Sequence, residues 1–182
     1  MLDRVDFEPI FFAPFVSSVM KVEPAWIDYN GHLNMAYYNV LFDEAVNAAL
    51  NGLGVGPDQA ATGTMSVFTA QAHVHYLREL HAGDRVRVSL RVLGVDAKRL
   101  HYVQTMMRAG TRVGTHSGMH AGNGFVAAVS ENLTLSVDLS TRRVTPWTAP
   151  VFARLQALAV AHADLPVPPQ VGRVIGLNRP PA

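Results

Sequence analysis

The sequence contains no cysteine. Disulfide bonds, thiolate metal sites and cysteine nucleophiles are therefore excluded, and a reducing cytoplasm fits this composition, so we expect a cytoplasmic protein. Long apolar runs are missing as well, because no stretch reaches the roughly 18 residues that a membrane-spanning helix needs. Lysine and arginine never form runs longer than two residues, and the formal net charge is only +1. We therefore expect neither a membrane nor a nucleic acid as a partner.

The composition is that of an ordinary globular protein. Of the 182 residues, 49% are apolar and 16% are charged, which suits one domain with a sizeable core. We predict an N-terminal extension over residues 1–16, a main domain over 17–145, and a C-terminal helix with a proline-rich tail over 146–182. The glycine-rich segment 110–124 is expected to form a hairpin end or a long loop.

The densest polar motif runs from Trp26 to Asn34 and reads Trp-Ile-Asp-Tyr-Asn-Gly-His-Leu-Asn. Four polar residues stand directly before a segment with helical spacing: Asp28, Asn30, His32 and Asn34. A carboxylate, an imidazole and two amides at a helix entrance suit acid–base chemistry on a carbonyl group. The same residues would also suit an elaborate helix cap, so the motif by itself leaves two interpretations open.

Hydrophobic spacing predicts the order of the elements. Apolar residues recur every three to four positions from Asn34 to about Leu53, which indicates one long helix. Residues 17–24 are expected to form a first strand that ends at Pro24. A C-terminal helix is predicted over 149–162, and four further strands are predicted over 65–77, 85–95, 100–108 and 125–137. One long helix followed by sequential strands favours an α+β fold in which an antiparallel sheet wraps around that helix.

This pattern resembles the hotdog-fold acyl-CoA thioesterases of the 4-hydroxybenzoyl-CoA thioesterase superfamily. The resemblance rests on Asp28-Tyr-Asn-Gly-His-Leu-Asn, on the helix start Met-Ala-Tyr-Tyr, and on His73-Val-His-Tyr-Leu-Arg-Glu-Leu followed by Gly83-Asp84. The motif and the ending 158–175 are most similar to betainyl-CoA thioesterases of carnitine breakdown. The resemblance implies hydrolysis of a CoA thioester without a metal or organic cofactor. It also implies a homodimer or homotetramer with active sites between subunits.

Thioester hydrolysis needs a base or a nucleophile, and donors that stabilise charge on the carbonyl oxygen. Asp28 is the candidate for general base or nucleophile, and the resemblance places the catalytic Asp of the family at this position. His32 is a candidate for bonding the substrate or Asp28, and Asn30 for positioning a water. N–H groups at the helix start are candidate donors to the thioester oxygen. The alternative is that Asp28 accepts only turn hydrogen bonds and that His32 is structural.

Two further candidates lie on or beside the predicted helix. Asn34 is expected mainly to cap the helix, and in that way to hold a substrate-binding loop still. Glu44 is a second candidate nucleophile, because some hotdog thioesterases use a helix carboxylate. The neighbouring Asp43 projects about 100° away and cannot share the face of Glu44, so a solvated or inter-subunit role is favoured for either residue.

Aromatic residues surround the motif. An aromatic face attracts a quaternary ammonium group by about 0.5–2 kcal/mol, so a cage of such residues would suit a betainyl group. The alternative is that these side chains only fill the core around the helix. The candidates for substrate binding are Trp26, Tyr29, Tyr37 and Tyr38.

Histidine and arginine residues complete the set of candidates. The pairs His73/His75 and His116/His120 have no obvious carboxylate third ligand nearby in sequence, so no metal is expected. His75 is kept as a candidate substrate-binding residue. Several basic residues at strand ends and turns suit the phosphates of CoA, although most are expected to be surface charges: Arg78, Arg85, Arg87, Arg91, Lys98 and Arg99.

Two other functions remain as alternatives. A hotdog enoyl-CoA hydratase typically carries Asp-x-Asn-Pro-x-His, whereas the interval from Asp28 to His32 is one residue shorter and lacks the proline. A non-catalytic acyl-CoA-binding protein would bind CoA esters without turnover. A regulator of that kind normally carries a DNA-binding module, for which residues 1–16 are too few.

Overall fold

The computed structural model describes residues 14–109, 112–113, 120–121 and 124–177. The predicted extension 1–16 and the glycine-rich segment 110–124 fall largely outside these described residues. In chain order the elements are β1 (Phe15–Val16), β2 (Met20–Lys21), α1 (Met35–Leu53), α2 (Pro57–Ala60), β3 (Met65–Tyr76), β4 (Arg85–Val95), β5 (Arg99–Arg108), β6 (Arg112–Val113), β7 (His120–Ala121), β8 (Phe125–Asp138), β9 (Arg143–Val144) and α3 (Ala149–Ala161).

The main sheet is antiparallel, with the strand order β1–β4–β5–β8–β3. β2 adds to β4 and β9 adds to β8, while β6 and β7 pair with each other. The long strands form where polar and apolar residues alternate, because successive side chains of a strand point to opposite faces. On β4 the residues turned toward the helix are buried: Val86, Val88, Leu90 and Val92. The predicted α+β fold and its four long strands are confirmed.

The predicted single first strand over residues 17–24 is wrong. The chain instead forms the two short strands β1 and β2, followed by a 3-10 turn over Pro24–Trp26. At Ser17 the backbone N–H still donates to the Val88 carbonyl at 2.8 Å, but the Val88 N–H donates to the Ser17 side-chain Oγ at 3.0 Å and not to its carbonyl, which ends the regular ladder. Pro24 begins the turn because its ring fixes a helical φ and removes a strand donor.

Helix α1 lies on the inner face of the sheet. As predicted, Asn34 caps it, since its Oδ1 accepts the Ala36 N–H at 2.9 Å. Gly54 ends it with φ of +79°, a left-handed conformation that favours glycine. Gln104 of β5 is buried and donates to the Phe42 carbonyl at 2.8 Å, which ties the sheet to the helix. The buried apolar face of α1 consists of Tyr38, Leu41, Phe42, Ala45, Val46, Ala49, Leu50 and Leu53.

The C-terminal part of the chain packs on both faces of the sheet. α3 contributes Val151, Leu155 and Leu158 to the core that α1 also uses. After α3 the chain crosses to the outer face, which is the face turned away from α1, and the Gly172 N–H donates to Glu131 there at 2.7 Å. Among the described residues no helix is long and apolar enough to cross a membrane.

His162 makes the end of α3 sensitive to pH. Its side chain is fully buried, and its Nδ1 accepts the Val92 N–H at 2.9 Å. Burial, together with the nearby Arg91, lowers the pKa of His162 below its ordinary value. Between the folded and the unfolded pKa, the unfolded chain therefore binds a proton at His162 and the folded chain does not. The contribution of neutral His162 to stability is complete above the ordinary histidine pKa and is lost as pH drops through the folded pKa.

We expect His162→Gln to lower the free energy of unfolding at neutral pH by about 1–3 kcal/mol, because a buried hydrogen bond is lost. The variant should also lose part of the decline in Tm between roughly pH 7.5 and pH 5.5. Thermal denaturation across this range measures both effects. The exposed His81 offers the control His81→Gln, and an unchanged pH slope in His162→Gln would contradict the assignment.

Candidate active site

The Asp28–His32 segment folds into a tight loop between two bridged residues. Ile27 and Leu33 form an antiparallel bridge on either side of it. The Asp28 N–H donates to the His32 carbonyl at 3.0 Å, and the Gly31 N–H donates back to the Asp28 carbonyl at 3.0 Å. Gly31 has φ of +85°, which glycine adopts without steric cost. The backbone therefore holds the polar side chains of the loop at defined positions.

The loop is anchored to the chain that follows β3. The Leu33 N–H donates to the Leu80 carbonyl at 2.7 Å. The Tyr38 hydroxyl donates to the Arg78 carbonyl at 3.3 Å, and burial raises the pKa of that hydroxyl. The Asn34 N–H also donates to the Trp26 carbonyl at 3.0 Å. Sequence-distant segments thus hold the entrance of α1 and its loop together.

The Asp28 carboxylate is oriented by the loop itself. Its Oδ1 accepts the Asn30 backbone N–H at 2.8 Å, and its Oδ2 lies 3.8 Å from His32 Nδ1. The side chain is 14% exposed, whereas that of His32 is 31% exposed. A carboxylate with one oxygen held by a backbone donor and the other beside an imidazole is suited to accept a proton or to attack a carbonyl.

The other polar residues of the motif take distinct places. His32 Nδ1 is 3.5 Å from the Leu33 carbonyl, so its contacts to both neighbours are longer than a strong hydrogen bond. Asn30 is exposed and contributes its backbone N–H to Asp28. Asn34 uses both its side chain and its carbonyl on the first turn of α1, toward Ala36 and Tyr37.

Among the described residues, the capping bonds leave one backbone N–H at the start of α1 without an acceptor, that of Met35. Asn34 already accepts the N–H groups of Ala36 and Tyr37. Among the hydrogen bonds of the described residues, none engages the Met35 N–H. A free N–H at the positive end of a helix suits a developing oxyanion.

Aromatic side chains form two pairs beside the loop. Trp26 and Tyr37 stack with centroids 5.2 Å apart and an interplanar angle of 12°. Tyr38 and Tyr76 meet edge to face at 5.1 Å. Tyr29, at the loop tip, is 97% exposed.

Tyr76 was not among the sequence candidates, yet its hydroxyl lies 3.5 Å from the Met35 carbonyl. The alternation of β3 would have signalled it, because the alternation places Tyr76 on the helix side of the strand.

Glu44 and His75 lie apart from the Asp28 loop within the chain. Glu44 is exposed on α1, about 13 Å along the helix from its first residue. His75 lies on the outer face, where its ring is 4.3 Å from that of His73, and burial together with His73 lowers its pKa. In the described part of the chain no group of three or more His, Asp or Glu side chains is placed to hold a metal ion.

Comparison with known proteins agrees with this architecture. A family model described as the thioesterase-like superfamily matches residues 22–155. A betainyl-CoA thioesterase of Pseudomonas aeruginosa is 40% identical over 86% of this chain and 91% of its own. The structure of a putative thioesterase from Pseudomonas putida is 31% identical, with a TM-score of 0.73 over 92% of this chain and 99% of that one. A Staphylococcus aureus protein solved in complex with CoA is 24% identical, with a TM-score of 0.77 over 91% and 96% of the two chains.

The antiparallel sheet wrapped around one long helix is the hotdog fold, and the similarity in sequence and structure to the putative thioesterase of Pseudomonas putida places the chain among the hotdog-fold thioesterases. The chain belongs to the thioesterase-like superfamily and is a thioester hydrolase.

Proposed function

We propose that this enzyme hydrolyses betainyl-CoA, or another short polar acyl-CoA, to the free acid and CoA, with Asp28 as the general base or nucleophile. The observation that carries the catalytic assignment is the Asp28 carboxylate, oriented by the Asn30 N–H at 2.8 Å at the entrance of α1. The substrate class is supported by the 40% identity to a betainyl-CoA thioesterase that spans nearly all of both chains. A cytoplasmic location remains a prediction.

In the proposed reaction the thioester carbonyl lies between Asp28 and the start of α1. The Met35 N–H takes no part in the capping of α1 among the described residues. It donates to the carbonyl oxygen as negative charge develops there. As a base, Asp28 deprotonates the water that attacks the carbonyl carbon, the C–S bond breaks, and the proton passes to the departing CoA thiolate. As a nucleophile, Asp28 attacks the carbonyl carbon itself, the CoA thiolate leaves, and water then hydrolyses the resulting anhydride to the free acid and restores the Asp28 carboxylate. His32, 3.8 Å from Asp28, orients the acyl group or the carboxylate.

The proposed acyl site uses the aromatic residues beside the loop. A betainyl group carries a trimethylammonium, which aromatic faces attract. The stacked pair of Trp26 and Tyr37 offers rigid faces at the entrance of α1, where the Trp26 carbonyl accepts the Asn34 N–H, and the exposed Tyr29 ring lies at the tip of the Asp28 loop.

We also propose that the enzyme is a homodimer, formed by antiparallel pairing of β3 with its copy. In the described part of the chain β3 pairs only with β8, and its residues 68–72 are exposed. An exposed edge strand is a template for pairing with another chain. Exposed apolar side chains around the Asp28 loop also suit a covering partner, namely Tyr29, Met35, Tyr76 and Leu77.

A matched pair of substrates tests the proposed acyl specificity. Betainyl-CoA and 3,3-dimethylbutyryl-CoA have nearly the same shape, but only the first carries a positive charge. We expect kcat/KM for betainyl-CoA to be higher by about tenfold, because two or more aromatic faces each contribute a cation–π contact. Steady-state assays of CoA release measure this ratio.

The outcomes of that assay separate the alternatives. Equal rates with both esters would contradict the aromatic cage but leave the thioesterase assignment in place. Hydration of crotonyl-CoA without release of CoA would favour the hydratase. Binding of a broad panel of acyl-CoA esters without turnover would favour the non-catalytic protein.

A further inference from the structure

A cavity lies on the outer face of the sheet, between the sheet and the chain that follows α3. Its volume is about 540 Å³, within the roughly 300–1,000 Å³ that ligand cavities in proteins span. Side chains of β4, β5 and β8 that point away from α1 form its floor, and residues 165–170 form one wall. The walls and floor are mainly apolar and include Val103, Val129, Leu165 and Val167.

Arg91 brings a positive charge into this cavity. Among the described residues that line it, no other side chain is charged at neutral pH. Arg91 Nη2 donates to the Ala163 carbonyl at 3.1 Å, which ties the guanidinium to the chain after α3. Its Nε and Nη1 are buried, and within the described part of the chain neither has a hydrogen-bond acceptor and the side chain forms no ion pair. Because a buried donor without an acceptor costs free energy, and more so on a charged group, an anion would be stabilised here.

The strand register gives Arg91 two hydroxyl neighbours. Ser89 lies two residues earlier on β4, hence on the same face, and it pairs with Thr105 of β5. Both residues line the cavity. The nearby His162 brings no negative charge, since burial and Arg91 lower its pKa and keep it neutral. The cavity therefore combines a polar corner, which holds one uncompensated positive charge, with a larger apolar part.

We propose that this cavity binds a monocarboxylate with an apolar chain of medium length, such as decanoate, with the carboxylate on Arg91 and the chain along the valines of the sheet. One carboxylate charge neutralises one guanidinium, whereas a phosphate dianion would leave excess charge in apolar surroundings. A small inorganic anion would leave the apolar walls exposed to water. This site is independent of the proposed betainyl-CoA hydrolysis, since in the part of the chain that the structure describes its lining includes no residue of the Asp28 loop.

Calorimetric titration of the full chain with three ligands tests the site. Decanoate and 1-decanol share the apolar chain, but only decanoate is charged, and acetate shares the carboxylate alone. We expect one decanoate to bind per chain and 1-decanol to bind at least tenfold more weakly, because a charge-assisted hydrogen bond is stronger than a neutral one. Acetate should show no measurable binding, since it buries almost no apolar surface.

Two variants of β4 test the role of Arg91. Arg91→Gln should weaken decanoate binding at least tenfold and change the affinity for 1-decanol by less than about twofold. Arg87→Gln is the matched control, because Arg87 is exposed on the same face of the same strand and lies outside the cavity, and it should leave both affinities unchanged. Thermal denaturation separates a folding defect in Arg91→Gln from a loss of binding, and the comparison of decanoate with 1-decanol needs no variant.

Three results would overturn the carboxylate site. Absence of decanoate binding to the full chain would show that another group fills the cavity, either residues 1–13 or a second copy of the chain. Equal affinities for decanoate and 1-decanol, or an unchanged decanoate affinity in Arg91→Gln, would contradict the role of Arg91. Competition between decanoate and CoA would place the acid in the acyl-CoA site instead of this cavity.

Discussion

Replacing Asp28 with asparagine should reduce kcat for an acyl-CoA substrate by roughly 100- to 10,000-fold, the range expected when a catalytic base is removed. Asparagine keeps the size of the side chain, and its Oδ1 still accepts the Asn30 N–H that Asp28 Oδ1 accepts at 2.8 Å. The loop should therefore survive, and Tm should change little. KM should also remain close to its original value, since the lost group acts on the carbonyl in the transition state.

The control for this variant is an exposed carboxylate on α1, away from the loop. Asp43 is exposed on α1, and within the described part of the chain its side-chain hydrogen bond is from the Asn47 amide at 3.0 Å, so Asp43→Asn should leave kcat unchanged. A single turnover in ¹⁸O-labelled water distinguishes the two roles of Asp28. Label in the aspartate would identify a nucleophile whose anhydride is opened by water at the Asp28 carbonyl, whereas a base places the label only in the product acid. A kcat/KM for Asp28→Asn close to that of the unaltered enzyme would contradict the proposal that Asp28 is the catalytic base or nucleophile.

Substituting Ala72 on β3 with lysine should convert the proposed homodimer to monomers and lower kcat/KM at least tenfold. Ala72 lies in the exposed stretch of the edge strand, and two-fold pairing of β3 with its copy would bring the two lysines near each other. The loss of activity follows because the exposed Tyr29, Met35 and Tyr76 rely on the partner to complete the acyl site. Light scattering at assay concentration measures the mass.

A charge-swap experiment makes this prediction specific. Ala72→Lys and Ala72→Glu should each be monomeric, whereas their equimolar mixture should recover both the dimer and the activity, because opposite charges then meet across the two-fold axis. Ala157→Lys places the same change on the exposed side of α3 and should alter neither property. A monomeric Ala72→Lys with full activity would show that the site is complete in one subunit, and a dimeric one would show that β3 is not the interface.

How well the sequence predicts a structural feature of this protein depends on how far apart in the chain the interacting residues lie. The helix α1 and the strands β3, β4, β5 and β8 were predicted to within one or two residues, because their periodic apolar residues are local features. The cap at Asn34 was also predicted, since capping involves residues two positions apart. The first strand was predicted wrongly, because Ser17 replaces a ladder bond with its side chain through a contact to Val88, far along the chain.

In the candidate site, too, the residues could be predicted from the sequence, but their geometry could not. Asp28, Asn30 and His32 could be chosen from the sequence because one short loop carries them all, and the resemblance to hotdog thioesterases gave that loop a chemistry. Their distances could not be predicted, because they depend on how the loop closes on Leu80 after β3. His75 was chosen with them from its strand, although the alternation that puts Tyr76 beside α1 puts His75 on the opposite face.

The sequence by itself determined the class of fold, the candidate catalytic loop and the family resemblance, since these reside in local periodicity and in one contiguous motif. Only the tertiary structure decided which backbone donor remains free at the start of α1 among the described residues, and which tyrosine of β3 lies beside it. Each of these depends on contacts between segments that are far apart in the chain, as in the bond from Tyr38 to Arg78. Side-chain identities constrain such contacts, but the register and packing of the sheet determine which of them form.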